Sequence, residues 1–584
     1  MTDAMQFYIS TLLIYLFIDI MGVLGLNLQF GVAGIINFAY IVFVGVGAYT
    51  AAVVSLGPDY PGNFQHYMFG ASWPFPLPIL AGGVAAGLLS LVVGVISLRR
   101  LRSDYQAMVM LVLSLIATLV ASNATGLVNG PAGLATIPQP LYDQLGLNPL
   151  EYQWVYAGWC LFLTVLVFLF VRAITRSPLG RTLRAMRDNE RAASAVGKNV
   201  TLLRLVIFVV GGVIAGISGA VFAEFIQAWS PGSWLYPETF VFLAAVLVGG
   251  AANNWGVILG TLLVPVGFLE ATRFLPPIFY QGFIEAMQWV CVGLLILLFL
   301  WFRPNGIFPE KPGRFKPRAT AQSRPAEWME AQPKPILAVS DVRRDYGGLK
   351  AVDGASFSAM QGRITGLIGP NGAGKSTLIG IIGGQIKPNA GSITFDGRDI
   401  TGLAPHKIAG RGMVRTFQLS AEFTKLTVLE NLLVAAPDQK GESLLGAELS
   451  RLYWGRNEAA NVDAARDVLD RFEMTPKEDE LAGNLSGGQK RLLEIMRALM
   501  TKPTTLLLDE PFAGVNPTLA RQIEQYLLDL RDEGLSMIMV EHELAVVERL
   551  CEPVVVMAQG KVISEGSMRD VSARKEVLDA YLVG

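Results

Sequence analysis

The residues best suited to do chemistry are Gly369-Pro370-Asn371-Gly372-Ala373-Gly374-Lys375-Ser376-Thr377. An apolar run, 364–368, leads into them and a helical pattern follows from Thr377. Strand, glycine loop and helix thus stand in the order that a phosphate cradle needs. The glycines free the loop, with Asn371 and Thr377 in it, to wrap backbone N–H groups around phosphates. Lys375 reaches the terminal phosphates and the Ser376 hydroxyl is placed to ligate Mg²⁺, so the expected ligand is a nucleoside triphosphate such as ATP. Further on, Leu506-Leu507-Leu508-Asp509-Glu510-Pro511 reads as a buried strand ending in two carboxylates. Asp509 suits a second Mg²⁺ contact and Glu510 a base that orients the attacking water. Another strand, 537–540, ends at Glu541-His542, which would let His542 touch a γ-phosphate; a histidine at a strand end is more often structural.

These residues need a scaffold. From 336 to 584, apolar β-branched runs alternate with helical patterns, which argues an α/β core with a largely parallel sheet. The chain before it is of another kind. Of 584 residues, 52% are hydrophobic and the mean hydropathy is positive, too apolar for a wholly soluble protein. A net charge of −1 gives no support for nucleic-acid binding. Cys160, Cys291 and Cys551 are far apart, and the three histidines form no cluster with them, so neither a disulfide framework nor a zinc site is expected.

Apolar runs lie at 7–26, 32–56, 76–98, 105–124, 154–171, 205–226, 239–275 and 284–302, each near the ~20 residues of a spanning helix. The first has no basic segment before it and no small-residue cleavage site after it, so it is expected to stay as a span. The run 239–275 is interrupted by Gly249-Gly250-Ala251-Ala252-Asn253-Asn254 and is expected to hold two helices or a re-entrant pair, for eight or nine segments in all. The turn Arg99-Arg100-Leu101-Arg102, the stretch 172–204 and the tail after Arg303 are basic, whereas loops 57–75, 125–153 and 227–238 have no Lys or Arg. The first group is expected in the cytoplasm and the second outside, with the N-terminus outside.

Within the runs, Asp19 is expected to make an interhelical hydrogen bond, with a pathway-lining role as the alternative. Glu224 is expected at the interface, and Glu270 with Arg273 as a pair on one helix face. The glycine runs 82–87 and 211–219 suit close helix packing. Segment 182–196 reads as a soluble, arginine-rich helix stopped by Gly197, which needs a surface to sit on. Residues 303–335, rich in proline and basic groups, read as a linker between a membrane domain, 1–302, and a soluble domain, 336–584.

In this order the elements of 336–584 resemble the ATPase domain of ABC transporters, and Leu485-Ser486-Gly487-Gly488-Gln489 is similar to the ABC signature. The resemblance implies that Tyr346 stacks on adenine, that Gln418 senses Mg²⁺ and the lytic water, and that His542 is the switch histidine. Residues 419–484 would form a helical subdomain. Ser486, Gly487, Gly488 and Gln489, at a helix start, would cap the phosphates held by a partner domain. The membrane half looks like the permeases of branched-chain amino-acid importers, on three stretches: Gly45-Val46-Gly47-Ala48-Tyr49-Thr50-Ala51-Ala52, Gly130-Pro131-Ala132-Gly133-Leu134 with Ile137-Pro138, and Ser177-Pro178-Leu179-Gly180-Arg181 to Ala192-Ala193 with Gly197. Phe512-Ala513-Gly514-Val515-Asn516-Pro517 and Ala580-Tyr581-Leu582 are similar to the same branch.

The resemblance implies a polytopic α-helical permease fused to an α/β P-loop ATPase in a bacterial inner (plasma) membrane, with the ATPase in the cytoplasm. It implies ATP and Mg²⁺ as cofactors and residues 182–196 as a coupling helix docked in an ATPase cleft near Gln418. The partners it implies are an external substrate-binding protein and a second permease/ATPase chain or pair of chains, with a homodimer as the alternative. The family usually keeps permease and ATPase on separate chains, and residues 31–40 depart from its more polar version. Urea, short amides or small carboxylates therefore stay beside amino acids as cargo. An exporter or a non-transporting, membrane-anchored ATPase is the remaining alternative.

Overall fold

The computed structural model describes residues 2–59, 63–100, 103–276, 282–313, 315, 334–417, 421–449 and 451–583. Gln418, Leu101 and Arg102 of the basic turn, and residues 316–333 of the expected linker lie outside the described residues. The chain forms two compact units: Met1–Leu183 with Thr201–Lys311, and Arg184–Val200 with Pro312–Gly584.

In the first unit, seven helices among the described residues are long and apolar enough to cross a membrane, and two shorter apolar ones, Tyr40–Ser55 and Ala286–Phe302, accompany them. The run 239–275 breaks at its glycines and asparagines. Helix Pro237–Gly249 stops at Gly250, whose φ of 118° suits glycine, and the Asn253 side chain caps Asn254–Thr261 by accepting the N–H groups of Trp255 and Gly256. The run 32–56 is not one span. The first helix, Asp3–Leu26, runs on as a π turn, Asn27–Val32, and the next begins only at Tyr40. Asn37 causes this locally, because its side chain accepts the Ala39 N–H at 3.1 Å and donates to Gln29 Oε1 at 2.9 Å, turning the chain before helix can resume.

The helices meet on small residues. A Cβ on Gly47 would lie 2.2 Å from the Gly216 carbonyl oxygen, so these backbones approach as only glycine allows. Neutral amides join them: Asn27 donates to Asn254 Oδ1 at 3.2 Å and accepts the Ala252 N–H at 2.9 Å, and Gln29 donates to the Phe208 carbonyl at 2.7 Å. Glu270 pairs with Arg273 at 2.9 Å, as the spacing predicts, and also accepts the Tyr8 hydroxyl at 2.9 Å. Of two other acids, the first departs from expectation. Asp19 takes no hydrogen bond among the described residues, and Glu224 is buried, with one carboxylate oxygen unbonded. Glu224 lies two residues from the end of helix Val200–Ile226, and the chain beyond packs around it: Trp229 and Trp234 are buried, and Ala228-Trp229 pairs with Leu134-Ala135.

The second unit holds a six-stranded sheet in the order Lys561–Gly566, Val554–Ala558, Ile364–Ile368, Ser536–Val540, Thr505–Asp509, Met413–Arg415. All its neighbours pair in parallel except the first two. Strands Ile364–Ile368, Thr505–Asp509 and Ser536–Val540 are buried at every position, which is why they read as unbroken apolar runs. A second, antiparallel sheet of Leu349–Met360, Pro335–Tyr346, Ala390–Phe395 and Arg398–Asp399 was not legible in the sequence.

Segment 184–200 belongs to this unit, and it is not one helix. Pro178–Asp188 ends at Asn189, whose side chain accepts the Ala192 N–H at 3.0 Å and caps a new helix, Glu190–Ala195. Arg184 pairs with Glu430 at 3.1 Å, Asp188 accepts the Lys425 N–H at 2.9 Å, and Lys198 pairs with Glu442 at 2.7 Å.

Candidate nucleotide site

Sheet register assembles the site. Val540 lies level with Leu367 on one side and Asp509 on the other, so the chain leaves three adjacent strands at one edge. Loop 369–374, Glu510 and Glu541-His542 all begin there. In parallel α/β sheets this carboxyl edge is where ligands sit.

The loop turns on its glycines. A Cβ on Gly369 would lie 2.1 Å from the Met557 carbonyl oxygen, and one on Gly374, which has a φ of 97° and caps helix Lys375–Ile382, would lie 2.2 Å from that of Ala351. Around Gly372 a Cβ would meet nothing within 4 Å, so that stretch of backbone is open to a ligand. Asn371 and Ser376 are exposed, and Thr377 is half-buried. Lys375 is buried, and its ammonium donates to the carbonyls of Gly369 at 2.7 Å and Pro370 at 2.9 Å. Burial pushes its pKa down, with Glu510 and Asp509 acting the other way.

The two carboxylates have different surroundings. Asp509 is 2% exposed; its Oδ2 accepts from Arg415 at 2.9 Å, and its Oδ1 is buried with no donor among the described residues. Glu510 has a φ of 49°, an uncommon backbone state for a non-glycine residue, and its Oε1 lies 2.8 Å from His542 Nε2. Glu541 is buried beneath this pair: one oxygen accepts the Phe512 N–H at 3.2 Å and the other the His542 N–H at 3.1 Å. Burial raises its pKa, against the pull of those two bonds.

Not every expected residue joins this cluster. Tyr346 is exposed at the last position of strand Pro335–Tyr346, with the Arg344 guanidinium 4.8 Å from its ring centre. Ser486 caps helix Gly487–Met500 in a reciprocal box with Gln489, and among the described residues no hydrogen bond joins them to loop 369–377. The box uses the Ser486 oxygen as acceptor and leaves its proton for another group. Gly487 is exposed, whereas Gly488 is buried against Leu519.

The structure adds residues that no motif marked. Arg415 holds Asp509, Glu541 holds the backbone of Phe512 and His542, and Tyr581 contacts the main chain of Gly369. Tyr581 and Glu541 lay in stretches singled out from the sequence, the one for its resemblance and the other as the neighbour of His542, neither for its contact.

The family described as "Branched-chain amino acid transport system / permease component" matches residues 8–300, just over half of the chain, and the family "ABC transporter" matches residues 352–513. A probable branched-chain amino acid transport ATP-binding protein of Archaeoglobus fulgidus is 39% identical over 42% of this chain and 95% of its own length. The high-affinity branched-chain amino acid transport ATP-binding protein of Pseudomonas aeruginosa is 36% identical over 43% of this chain and 98% of its own. A solved nucleotide-free ATP-binding cassette from an ABC transporter is 38% identical, with a TM-score of 0.38, over 42% of this chain and 99% of that one. The chain therefore belongs to the branched-chain amino acid transport permease family and carries an ABC ATPase in the same polypeptide, as a multi-pass membrane protein whose cytoplasmic domain couples ATP hydrolysis to transport.

Proposed function

We propose that this chain is one half of an importer for branched-chain or related small amino acids, fed by an external binding protein. The observation that carries the reading is that both halves independently match this one transport branch. The permease domain is 1–302, the linker 303–335 and the ATP-binding domain 336–584. Two ATPase domains close on two nucleotides, so a second chain or pair of chains completes the transporter.

Loop 369–377 cradles the phosphates. Lys375 exchanges its two loop carbonyls for phosphate oxygens, and Tyr346 stacks on adenine. Ser376, Asp509 and Gln418 would hold Mg²⁺, and the orphaned Asp509 Oδ1 fits that role. When bound, the ion supplies positive charge that offsets the phosphates. Glu510 orients the attacking water, and His542, hydrogen-bonded to it, contacts the γ-phosphate. Ser486, Gly487, Gly488 and Gln489 cap the nucleotide held by the partner ATPase. The helices of 184–200, held by Glu430, Lys425 and Glu442, carry ATPase movement toward the permease. ATP closure shifts the permease only by its differential affinity for the two states.

The test is uptake of labelled leucine into proteoliposomes holding the full chain with its partner chain, with and without the binding protein. Uptake that needs both ATP and the binding protein is expected. Efflux without a binding protein, or ATPase activity with no flux, would overturn the reading. Competition by urea, short amides or small carboxylates but not leucine would reassign the cargo.

A further inference from the structure

Helix Gly487–Met500 presents three charged residues at a spacing of three, Arg491, Glu494 and Arg497, all on one buried face. Arg491 and Glu494 are each 4% exposed and pair at 3.0 Å. What they hold is main chain. Glu494 Oε1 accepts the Phe417 N–H, and Arg491 Nη1 donates to the Phe417 carbonyl, so one peptide residue is gripped on both sides. The other arm of Arg491 donates to the Glu510 carbonyl at 3.1 Å. Three residues beyond Glu494, Arg497 donates to the Ala421 carbonyl at 2.8 Å and lies over the Phe423 ring.

The arrangement is costly unless it has a purpose beyond cohesion. Buried charges lose water, and an apolar set of similar volume commonly packs as well or better. Burial raises the pKa of Glu494 and lowers that of Arg497, with the neighbouring arginines and Glu494 opposing each shift. An apolar set, however, could not satisfy the main-chain polar groups of residues 417 and 421 or hold the carbonyl of Glu510. That carbonyl belongs to a left-handed backbone, which persists only where its surroundings over-determine it. The Glu510 N–H is held as well, by the Val540 carbonyl at 2.9 Å.

We propose that Arg491 and Glu494 are positioning residues. They tie the helix that begins at Ser486 to the chain beside Gln418 and to the backbone of Glu510, so that a shift of this helix moves both. The proposal rests on the reading of Glu510 as the hydrolytic carboxylate.

The test uses the full chain in nanodiscs with its partner chain, measuring ATP turnover, KM for ATP and thermal unfolding. Arg491→Lys keeps the charge but has one ammonium where two guanidinium arms diverge. Its turnover at saturating ATP is expected to fall about tenfold or more, with KM within about twofold and the unfolding midpoint within about 2 °C. Glu494→Gln keeps an oxygen for the Phe417 N–H and is expected within about threefold of the parent, whereas Glu494→Leu is expected to lose turnover as Arg491→Lys does. Parental turnover in Arg491→Lys, or a KM rise matching the turnover loss, would overturn the proposal. Should Arg491→Lys not fold, equal turnover in the two Glu494 variants would overturn it. Glu510→Gln, run in parallel, separates the two claims. If it turns over normally, the reading of Glu510 fails; if it is dead while Arg491→Lys is normal, only the positioning role fails.

Discussion

Many of the buried polar side chains that join helices in the membrane unit are neutral: the amides Asn27, Gln29, Asn37 and Asn254, and the hydroxyls of Tyr40, Tyr156 and Thr164. The ATP-binding unit buries such amides too, Asn431 and Gln439 among them, but beside them it buries charged pairs: Arg415 with Asp509, and Arg491 with Glu494. The difference follows from what lies outside. A helix bundle in hydrocarbon has no water with which to relax a stray charge, so amides join it at lower cost. A domain in water tolerates charge where the pair is complete and its remaining donors reach carbonyls. Of the two pairs, Arg491 with Glu494 lies where main chain is held, at Phe417 and Glu510, and Arg415 holds the Asp509 side chain.

The largest expected effect tests this in the membrane unit. Asn27→Asp keeps size and shape but adds a charge, and is expected to destabilise the unit by about 2.5–3.5 kcal/mol. Asn27→Leu, which strands the Ala252 N–H and Asn254 Oδ1, is expected to cost about 1–3 kcal/mol. Denaturation of the full chain in nanodiscs measures both, and Asp behaving like Asn would break the comparison.

Next is Lys375→Ala, which removes a cation from the phosphate cradle. Nucleotide affinity is expected to weaken roughly 10- to 100-fold in a fluorescent ATP titration, the value of one or more charge-assisted hydrogen bonds. An unchanged affinity would mean that the ammonium stays on Gly369 and Pro370 when nucleotide binds.

Glu430→Gln sharpens the contrast further. One carboxylate oxygen accepts the Thr427 N–H, and the other accepts from both Arg184 and the Gly313 N–H. An amide offers only one acceptor, so it must give up one end. Transport per ATP is expected to fall about threefold while ATPase activity holds within about twofold, as read from paired flux and phosphate-release assays. A parallel fall in both would make Glu430 a folding residue.

The smallest effect concerns pH. Burial raises the Glu541 pKa above 4.5, so the native state binds this proton more readily than the unfolded chain does. That contribution to stability is full at low pH and is lost as pH rises through the native pKa. Acidification thus costs no stability through Glu541, but protonation turns one acceptor into a donor and breaks one bond to Phe512 or His542. Turnover is expected to drop about twofold on the acid side without a matching loss of thermal stability, and Glu541→Gln is expected to remove that limb. An acid limb unchanged in the variant would place its source elsewhere.

Much of the site was legible because its motifs are local. Gly369, Gly372, Gly374, Lys375 and Ser376 act through one loop, and Ser486 with Gln489 through one helix start, so spacing along the chain is spacing in space. The break at 249–254 was legible for the same reason. Where the reading of helices failed, the cause was a competing local bond. Asn189 divided an expected helix by capping a new one, and Asn37 shortened an expected span.

The sequence by itself determined the phosphate loop, the carboxylates at a strand end, the apolar spans and the order of the two domains, because backbone geometry and hydropathy are properties of consecutive residues. Only the tertiary structure decided that Val540 lies level with Leu367 and Asp509, that Arg415 takes one oxygen of Asp509, and that Arg491 reaches both Phe417 and Glu510. Arg491 reads in sequence like any basic residue of an amphipathic helix. Its partners lie 74 residues before it and 19 after it, and only sheet register and helix packing bring residues so far apart within hydrogen-bonding reach.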